Sequence, residues 1–396
     1  MKRIFARIKK KSLSTQLLFV VLTFVALSLS GCSRLSVPQG WAGFVQRGDF
    51  IVSASMDGQI ISLNKDTGRH KWEPVLIRVE KENENKRAVY GTPVLDDEVI
   101  FVGSYDGKLH AISIDEGKLL ETEPVTEEFV AGPLYHKGII YIGGSDGIMY
   151  AYKVQRESES FIGFELKWKR DLGSKIWSTA VIYQDTLIFG SLDHHLYGLD
   201  TRDGKTIWAY ETGGAIASSP LLKGNTVYVG SFDSTFYAIN AESGREKWTF
   251  TEASNWYWAT PIFFEGFVYA ASLDGKLYSL DGSTGNKKWE SVSEGSIVGS
   301  PTVVSDMIVF GSTSGKIYVA DLYSGNVLNT CDIDERIETP LLSIGEVVYF
   351  GARDYSSRSL NIKSNGNPDE NWEAPYFSDK AKEGENPQPA NWTPDC

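Results

Sequence analysis

The side chains of this chain that could carry chemistry are few and widely spaced. Its five histidines include one adjacent pair, His194-His195, and no acidic or thiol residue stands at metal-ligand spacing from that pair. The chain has no phosphate-binding loop and no pair of carboxylates arranged for acid–base catalysis. These patterns predict no catalytic residue, no metal site and no cofactor.

One acidic residue does recur every 40 to 49 residues, at the same point of a repeated motif. The recurring positions are Asp57, Asp106, Asp146, Asp193, Asp233, Asp274, Ser314 (the one position without a carboxylate) and Asp354. Because the residue returns once in every copy, we expect it to shape a hairpin turn and not to join the others around one ion. The positions indicate eight repeated units.

Three copies of the unit, residues 186–210, 226–250 and 267–291, align without a gap. Each copy has a β-branched and aromatic run, the turn aspartate, an alternating run, a glycine turn and a tryptophan. Four short strands in a period near 40 residues are typical of a propeller blade. The sequence therefore predicts an all-β fold, an eight-bladed β-propeller of four-stranded antiparallel blades, over residues 41–377.

Two further residues recur with the same period. A proline opens most inner strands, at Pro93, Pro133, Pro220, Pro261, Pro301 and Pro340. A tryptophan stands in most fourth strands, at Trp72, Trp168, Trp208, Trp248, Trp289 and Trp372. We expect each tryptophan to pack between neighbouring blades. In the first blade, the expected strands are 41–45, 50–55, 59–64 and 69–75.

Two steps of the repeat are long, which indicates insertions at residues 76–88 and 154–166. Connections between blades share a face with the aspartate turns, because adjacent strands alternate in direction. The first insertion is therefore expected on that face and the second on the opposite face. Each is either a binding segment or a solvated loop.

The N-terminus has the features of an export signal. Six basic residues precede the apolar run 17–27, and small residues follow before Cys32. Leu29-Ser30-Gly31-Cys32 resembles the bacterial lipobox, which implies a lipid on Cys32. The expected organisation is a signal peptide at 1–31, a lipidated tether at 32–40, the propeller at 41–377 and a polar tail at 378–396.

Composition limits the partners and the redox chemistry. The net charge is −12, and residues 32–396 hold 33 basic against 51 acidic residues, which disfavours binding to nucleic acid. Two cysteines remain in the expected mature chain besides Cys32. Cys331 and Cys396 either pair or stay free, and the sequence leaves both possibilities open.

The repeat, carried best by residues 140–151 and 268–285, resembles that of quinoprotein-type (PQQ-like) propellers. One branch of that family consists of quinone-dependent dehydrogenases, and another of non-catalytic lipoproteins that include the propeller subunit of the outer-membrane β-barrel assembly machinery. The lipobox makes this chain similar to the second branch. That resemblance implies a membrane-tethered scaffold, a monomer in a larger complex that binds protein partners in the cell envelope.

The same resemblance leaves alternatives for function and location. The chain could be a quinone-dependent dehydrogenase, or a cell-surface sensor of a ligand or glycan. If the cell has an outer membrane, the lipobox with Ser33 after Cys32 implies its periplasmic face; otherwise it implies the cell surface.

A candidate partner site stands where the inner strands begin. Asn255-Trp256-Tyr257-Trp258 replaces the small residues that other blades carry at this offset. Exposed aromatic clusters favour protein contacts, although the same rings could simply plug the central tunnel as core. The candidate residues for partner binding are Phe129, Trp177, Trp256, Tyr257, Trp258 and Glu338.

Overall fold

The computed structural model describes residues 42–54, 58–77, 88–126, 128–158, 160–354, 356–374 and 396. All described residues belong to one compact unit, Pro38–Cys396. The predicted signal peptide, the tether with Cys32, nearly all of the first insertion and the tail before Cys396 lie outside the described residues. The described part of the chain contains no helix of the length and apolar character that crossing a bilayer requires.

The described residues form 32 strands in eight antiparallel sheets of four consecutive strands each, which confirms the predicted eight blades. Blades 1 to 4 consist of β1 Val45–Arg47, β2 Phe50–Ala54, β3 Gln59–Asn64, β4 Val75–Leu76, β5 Val94–Leu95, β6 Val99–Gly103, β7 Lys108–Ser113, β8 Leu119–Pro124, β9 Leu134–His136, β10 Ile139–Gly143, β11 Ile148–Glu157, β12 Ser160–Asp171, β13 Val181–Tyr183, β14 Thr186–Gly190, β15 His195–Asp200 and β16 Thr206–Glu211. Blades 5 to 8 consist of β17 Leu221–Lys223, β18 Thr226–Gly230, β19 Phe236–Asn240, β20 Glu246–Phe250, β21 Ile262–Phe264, β22 Phe267–Ala271, β23 Lys276–Asp281, β24 Lys287–Val292, β25 Thr302–Val304, β26 Met307–Gly311, β27 Lys316–Asp321, β28 Val327–Asp332, β29 Leu342–Ile344, β30 Val347–Gly351, β31 Ser357–Ile362 and β32 Pro368–Ala374.

The recurring aspartate shapes the turn between the second and third strands, as predicted. In blade 5, one oxygen of Asp233 accepts the N–H of Thr235 at 2.8 Å, and the other accepts the Tyr237 hydroxyl at 2.5 Å. Asp274 bonds Lys276 and Tyr278 in the same way in blade 6. The same two carboxylates also accept the N–H groups of Gly213 and Ser254, so each is used locally, by its hairpin and by the segment that enters its blade. Asp57 lies outside the described residues.

The core lies between blades and not at one centre. Eight clusters of buried apolar residues occupy the junctions between successive blades, and one of them joins blade 8 to blade 1. That cluster contains Phe44 and Ile51 from the first blade with Tyr349 and Trp372 from the last. The sheets therefore close into a ring, because the last junction is built like the others.

The predicted tryptophans pack between blades and bond the backbone of the next blade. The indole Nε1–H donates to a carbonyl oxygen in the following blade, in the pairs Trp72 to Ile114, Trp168 to Thr201, Trp208 to Ala241, Trp248 to Gly282, Trp289 to Leu322 and Trp372 to Lys65. The indole ring of each of these tryptophans covers a glycine in a turn of the next blade. At Gly68, with φ of +67°, an added Cβ would lie 2.6 Å from Trp372.

Two strands of the first blade differ from their predicted bounds. The inner strand is Val45–Arg47 and not 41–45, because residues 42–44 belong to the segment that enters the blade from the hub. The fourth strand is only Val75–Leu76 and not 69–75. Pro74 precedes it and has no N–H to donate to the ladder.

The second insertion is an extension of two strands. β11 and β12 continue past the usual hairpin end and pair as far as Glu157 with Ser160, with register shifts near Tyr152 and Arg156. The extension lies at the end of the blade where the other blades have the glycine turn between their third and fourth strands. This end is on the face opposite the aspartate turns, as predicted.

The extended hairpin packs against blade 2. Phe161 and Phe164 contact the ring of Phe101, with centroids 6.1 and 6.0 Å apart. Arg156 binds the buried carboxylate of Asp96. Phe161 and Phe164 of the insertion thus help to hold two blades together.

The two cysteines left open by the sequence form a disulfide. Cys331 in β28 of blade 7 is bonded to Cys396, the last residue, across 65 positions of sequence. The covalent loop encloses the whole of blade 8.

Candidate functional site

The segment that enters each inner strand sends successive side chains to opposite sides. In blade 4, Ile176 and Ser178 are buried whereas Trp177 and Thr179 are partly exposed. The first set fills the junction with the neighbouring blade, and the second set faces the central hub of the ring. This alternation decides which of the predicted mouth residues can meet a partner.

Two of the predicted partner-binding residues are wrong for this reason. Phe129 is 0% exposed and Tyr257 is 1% exposed, since both occupy the junction position of their segments. Gly230 leaves the space that the Tyr257 ring takes, because an added Cβ there would lie 2.1 Å from Tyr257 Cβ. Both residues are core.

The remaining aromatic residues form one connected surface, which we call the aromatic shelf: Trp177, Phe232, Trp256 and Trp258. Trp256 is 47% exposed and stacks on Phe232, with centroids 4.5 Å apart and planes 11° apart. Phe232 also stacks on Trp258 at 5.6 Å, and Trp258 meets Trp177 at 6.1 Å. Three blades therefore contribute to a single apolar surface at the mouth.

Phe232 is the shelf residue that the sequence analysis missed. It precedes the turn Asp233, and its backbone N–H donates to Ala215 in the segment that enters blade 5. The aspartate turn of blade 5 thus lies against the segment that leads into the inner strand of the same blade. The sequence signal for Phe232 was the presence of an aromatic residue in a turn that is expected to face solvent.

The hub contains a cavity of about 290 Å³ beneath the shelf. Trp177, Trp258 and Glu338 line it, together with a series of small hydroxyl residues. Glu338 pairs with Arg353, with an N–O distance of 3.4 Å. The predicted residues Trp177, Trp258 and Glu338 thus meet at the mouth.

The tyrosines on the far side of the hub are not poised for proton transfer at neutral pH. Burial, with the nearby Tyr105 and Glu128, raises the pKa of Tyr90 to about 12. The rings of Tyr90 and Tyr105 lie 5.4 Å apart. Tyr90 and Tyr105 therefore supply neutral hydroxyl groups to the side of the mouth that lies across the hub from the shelf.

Comparison with known proteins identifies the family. The family model described as "Outer membrane protein assembly factor BamB" matches residues 57–161, 163–256 and 251–379, which is most of the chain. The chain belongs to this family.

Individual BamB relatives are distant. The outer membrane protein assembly factor BamB of Taylorella asinigenitalis is 26% identical over 162 residues, 40% of this chain and 40% of that protein. Its counterpart in Francisella salina is 27% identical over 106 residues, 26% of this chain and 18% of that protein. The chain thus spans less than half the length of these curated relatives.

Solved structures share the fold. BamB from Moraxella catarrhalis superposes with a TM-score of 0.62 and 20% identity, over 81% of this chain and 90% of that one. The computationally designed Ika8 protein superposes with a TM-score of 0.69 and 17% identity, over 81% of this chain and 96% of that one.

Blade 2 of this BamB-family chain brings together Ser104, Asp106 and His110, the residue types of a hydrolase triad. Ser104 Oγ lies 2.8 Å from His110 Nε2 and also donates to Asp106, whereas the other ring nitrogen faces Thr122 at 3.1 Å. In a triad the carboxylate would bond that other nitrogen. Burial alone would raise the pKa of Asp106, but hydrogen bonds from His110, Lys108 and Ser104 lower it to about 2. The three groups form a buried network of the hairpin.

The segment 143–147 of this BamB-family chain, Gly-Gly-Ser-Asp-Gly, has the spacing of a nucleophile elbow, so the expectation that the chain has no such motif was wrong. It forms a turn between two strands, β10 and β11, and not the strand-to-helix turn that exposes a nucleophile. The Ser145 hydroxyl accepts the indole N–H of Trp177 at 3.1 Å. Among the described residues, no group of three or more His, Cys, Asp or Glu side chains could hold a metal ion.

Proposed function

We propose that this chain is a lipid-anchored, non-catalytic scaffold of the cell envelope that takes part in outer-membrane protein assembly as a monomer in a larger complex. The family match supports the assembly role, because its relatives are named outer membrane protein assembly factors. The lipobox around Cys32 supports the anchor, and two acyl chains on one cysteine hold a protein firmly to a bilayer.

The anchor is tested by metabolic labelling with a palmitate analogue. The wild-type chain is expected to incorporate the label and to sediment with membranes, because the sulfur of Cys32 would carry the lipid through a thioether bond. Cys32→Ala is expected to lose both properties, and Cys396→Ser, which changes an exposed cysteine, serves as the matched control. Incorporation into Cys32→Ala equal to wild type would refute the assignment.

The docking surface in this proposal is the aromatic shelf. The observation that carries it is Trp256, which stays 47% exposed while it stacks on Phe232. Blade 5 has Ala215 and Ala217 at the offsets of Trp256 and Trp258, so the rings are additions to the repeat and not requirements of it. Large, rigid aromatic rings of this kind dominate the binding energy of protein interfaces.

The shelf is tested with a defined partner, the purified periplasmic part of the barrel-forming assembly subunit from the same cell, in a binding titration. Trp256→Ala with Trp258→Ala is expected to weaken binding at least about tenfold, because each truncated hot-spot ring typically costs 2 kcal/mol or more. An unfolded outer-membrane β-barrel polypeptide serves as the second probe.

The matched control is Tyr323→Ala. Tyr323 is a comparably exposed aromatic residue, at 57%, in the turn between β27 and β28 on the opposite face of the ring. This variant is expected to bind both probes as wild type does. Undiminished binding of both probes to the double tryptophan variant would remove the shelf from the proposal.

A further inference from the structure

The hub cavity beneath the shelf is built in two tiers. The residues that face the hub at the upper tier include Trp177 and Trp258, with the small Ala217 of blade 5 between them. Two positions further along each chain segment, the lower tier carries hydroxyl groups from four successive blades, at Thr179, Ser219, Thr260 and Ser300. The cavity therefore has an aromatic wall above a hydroxyl arc.

Hydrogen bonds from the backbone of the preceding blade fix two hydroxyl groups of this arc. Thr179 Oγ1 accepts the Gly132 N–H from blade 3 at 2.8 Å, and Ser219 Oγ accepts the Thr179 N–H from blade 4 at 2.9 Å. In the described part of the chain, no hydroxyl of the four donates a hydrogen bond to protein. Thr179 and Ser219 therefore present their O–H groups to the cavity, and the hydroxyls of Thr260 and Ser300 line the same wall, so all four can donate to or accept from a ligand bound there.

The same cavity also contains a carboxylate and further hydroxyl groups, at Tyr90 and Thr92. Glu338, on blade 8, lines the cavity and is held by Arg353. The Trp177 ring is fixed by its N–H bond to Ser145 and by Lys175, whose ammonium lies 5.7 Å from the ring centroid. Donors, one acceptor and rigid aromatic faces thus surround one space.

We propose that the hub is a binding site for one ring of a neutral saccharide. Sugar hydroxyls both donate and accept, so they can satisfy both the hydroxyl arc and the Glu338 carboxylate. The C–H face of a pyranose can lie against the aromatic wall, as an apolar ligand surface does in most small-molecule sites. A volume of about 290 Å³ stands at the small end of ligand pockets, which suits one sugar ring.

Other ligand classes fit the lining less well. An anion would face the carboxylate of Glu338, and a cation would find that carboxylate already paired with Arg353. An apolar ligand would leave the four hydroxyl groups without hydrogen-bond partners, which is unfavourable for polar groups that a ligand buries. The site goes beyond the proposed scaffold role, since a partner on the shelf would contact mainly the outer rings Trp256 and Phe232.

The experiment is a calorimetric and tryptophan-fluorescence titration of the full chain with glucose, galactose, mannose, N-acetylglucosamine and their methyl glycosides. At least one sugar is expected to bind with a Kd on the order of 1 mM, which corresponds to about −4 kcal/mol. Binding of free sugars but not of methyl glycosides would indicate a free monosaccharide ligand; binding of both would indicate the end of a glycan chain. Absence of binding by every sugar at about 50 mM would overturn the proposal.

Three variants separate this site from the shelf. Trp177→Ala is expected to weaken sugar binding at least about tenfold, and Thr260→Val, which keeps shape and removes the hydroxyl, about threefold or more. Trp256→Ala, which changes the shelf outside the cavity, is expected to bind sugar as wild type does. If Trp177→Ala and Thr260→Val both bind sugar as tightly as wild type, the site is wrong, whatever the shelf variants do with protein partners.

Discussion

Replacing Trp372 by alanine is expected to lower the free energy of unfolding by about 3–5 kcal/mol, the usual cost of removing a large buried ring. Trp372 is 4% exposed and belongs to the cluster that joins blade 8 to blade 1. Its Nε1–H donates to the Lys65 carbonyl at 2.8 Å, and its ring covers Gly68. The variant loses both the packing and the hydrogen bond that close the ring.

The position of this contact gives the variant a second expected property. Each blade consists of four consecutive strands, so no strand from the start of the chain completes the last blade. Noncovalent contacts alone therefore join the first and last blades of the described ring. Backbone amides of β2, β3, β30 and β31 are expected to exchange hydrogen faster in Trp372→Ala, because the weakened junction allows the ring to open locally.

Trp248→Ala is the matched control. Trp248 is 8% exposed, donates to the Gly282 carbonyl at 3.1 Å and covers Gly285, as Trp372 does with Lys65 and Gly68. It joins blades 5 and 6, which the chain also connects covalently. A similar loss of stability is expected, without faster exchange in blades 1 and 8. Identical exchange patterns in the two variants would contradict the view that the ring opens at this junction.

The number of blades and their closure could be predicted because the signals are local and repeated. A turn aspartate, a proline and a tryptophan each mark one position of the unit. The turn series has eight positions, and the six prolines and six tryptophans recur with the same period. The physical roles of these residues depend on the hairpin and on the adjacent blade, which every copy supplies. Trp372 was therefore predictable from Trp248.

The residues of the mouth were only partly predictable from sequence. The prediction used the residue types in the segment and did not consider which side of the segment each side chain faces. Trp256 and Trp258 share one side of their segment, and Tyr257 points to the other, where Ile216 and Ile297 of the neighbouring blades are also fully buried. A comparison of these aligned positions would have assigned Tyr257 to the core from sequence. The same comparison assigns Phe129.

Contacts between distant segments had no such signal. The pairing of Arg156 with Asp96 depends on how far the extended hairpin reaches across blade 2. The bond between Cys331 and Cys396 spans 65 residues, and neither cysteine stands in a repeated position. Spacing rules apply to neighbours and to repeats, so these contacts required the structure.

Removal of the disulfide is expected to cost about 4 kcal/mol, the loop-entropy value for a 65-residue separation. Cys396→Ser is the suitable variant, because Cys396 is exposed and a serine there is solvated. Cys331 is 0% exposed in the junction of blades 7 and 8, so a serine at Cys331 would add the cost of a buried hydroxyl. The measurement is denaturation by guanidinium chloride, followed by tryptophan fluorescence.

A reducing agent provides the internal control for this prediction. Reduction is expected to lower the stability of the wild-type chain to that of Cys396→Ser and to leave the variant unchanged, since the variant has no bond to break. The same stability for both proteins before reduction would contradict a stabilising role for the disulfide.

The disulfide and Trp372 act on the same blade from its two sides, and this determines where their effects should be found. The disulfide returns the chain end to β28, so an open blade 8 is confined to a closed loop and gains less entropy than a free terminal blade would. Cys396→Ser should therefore accelerate amide exchange in β30 and β31 and leave β14 and β15 of blade 4 unchanged. Combined with Trp372→Ala, its effect on blade 8 should exceed the sum of the single effects, because each contact limits the same opening. A uniform acceleration over all eight blades would mean that the disulfide stabilises the ring as a whole and is not a restraint on its last blade.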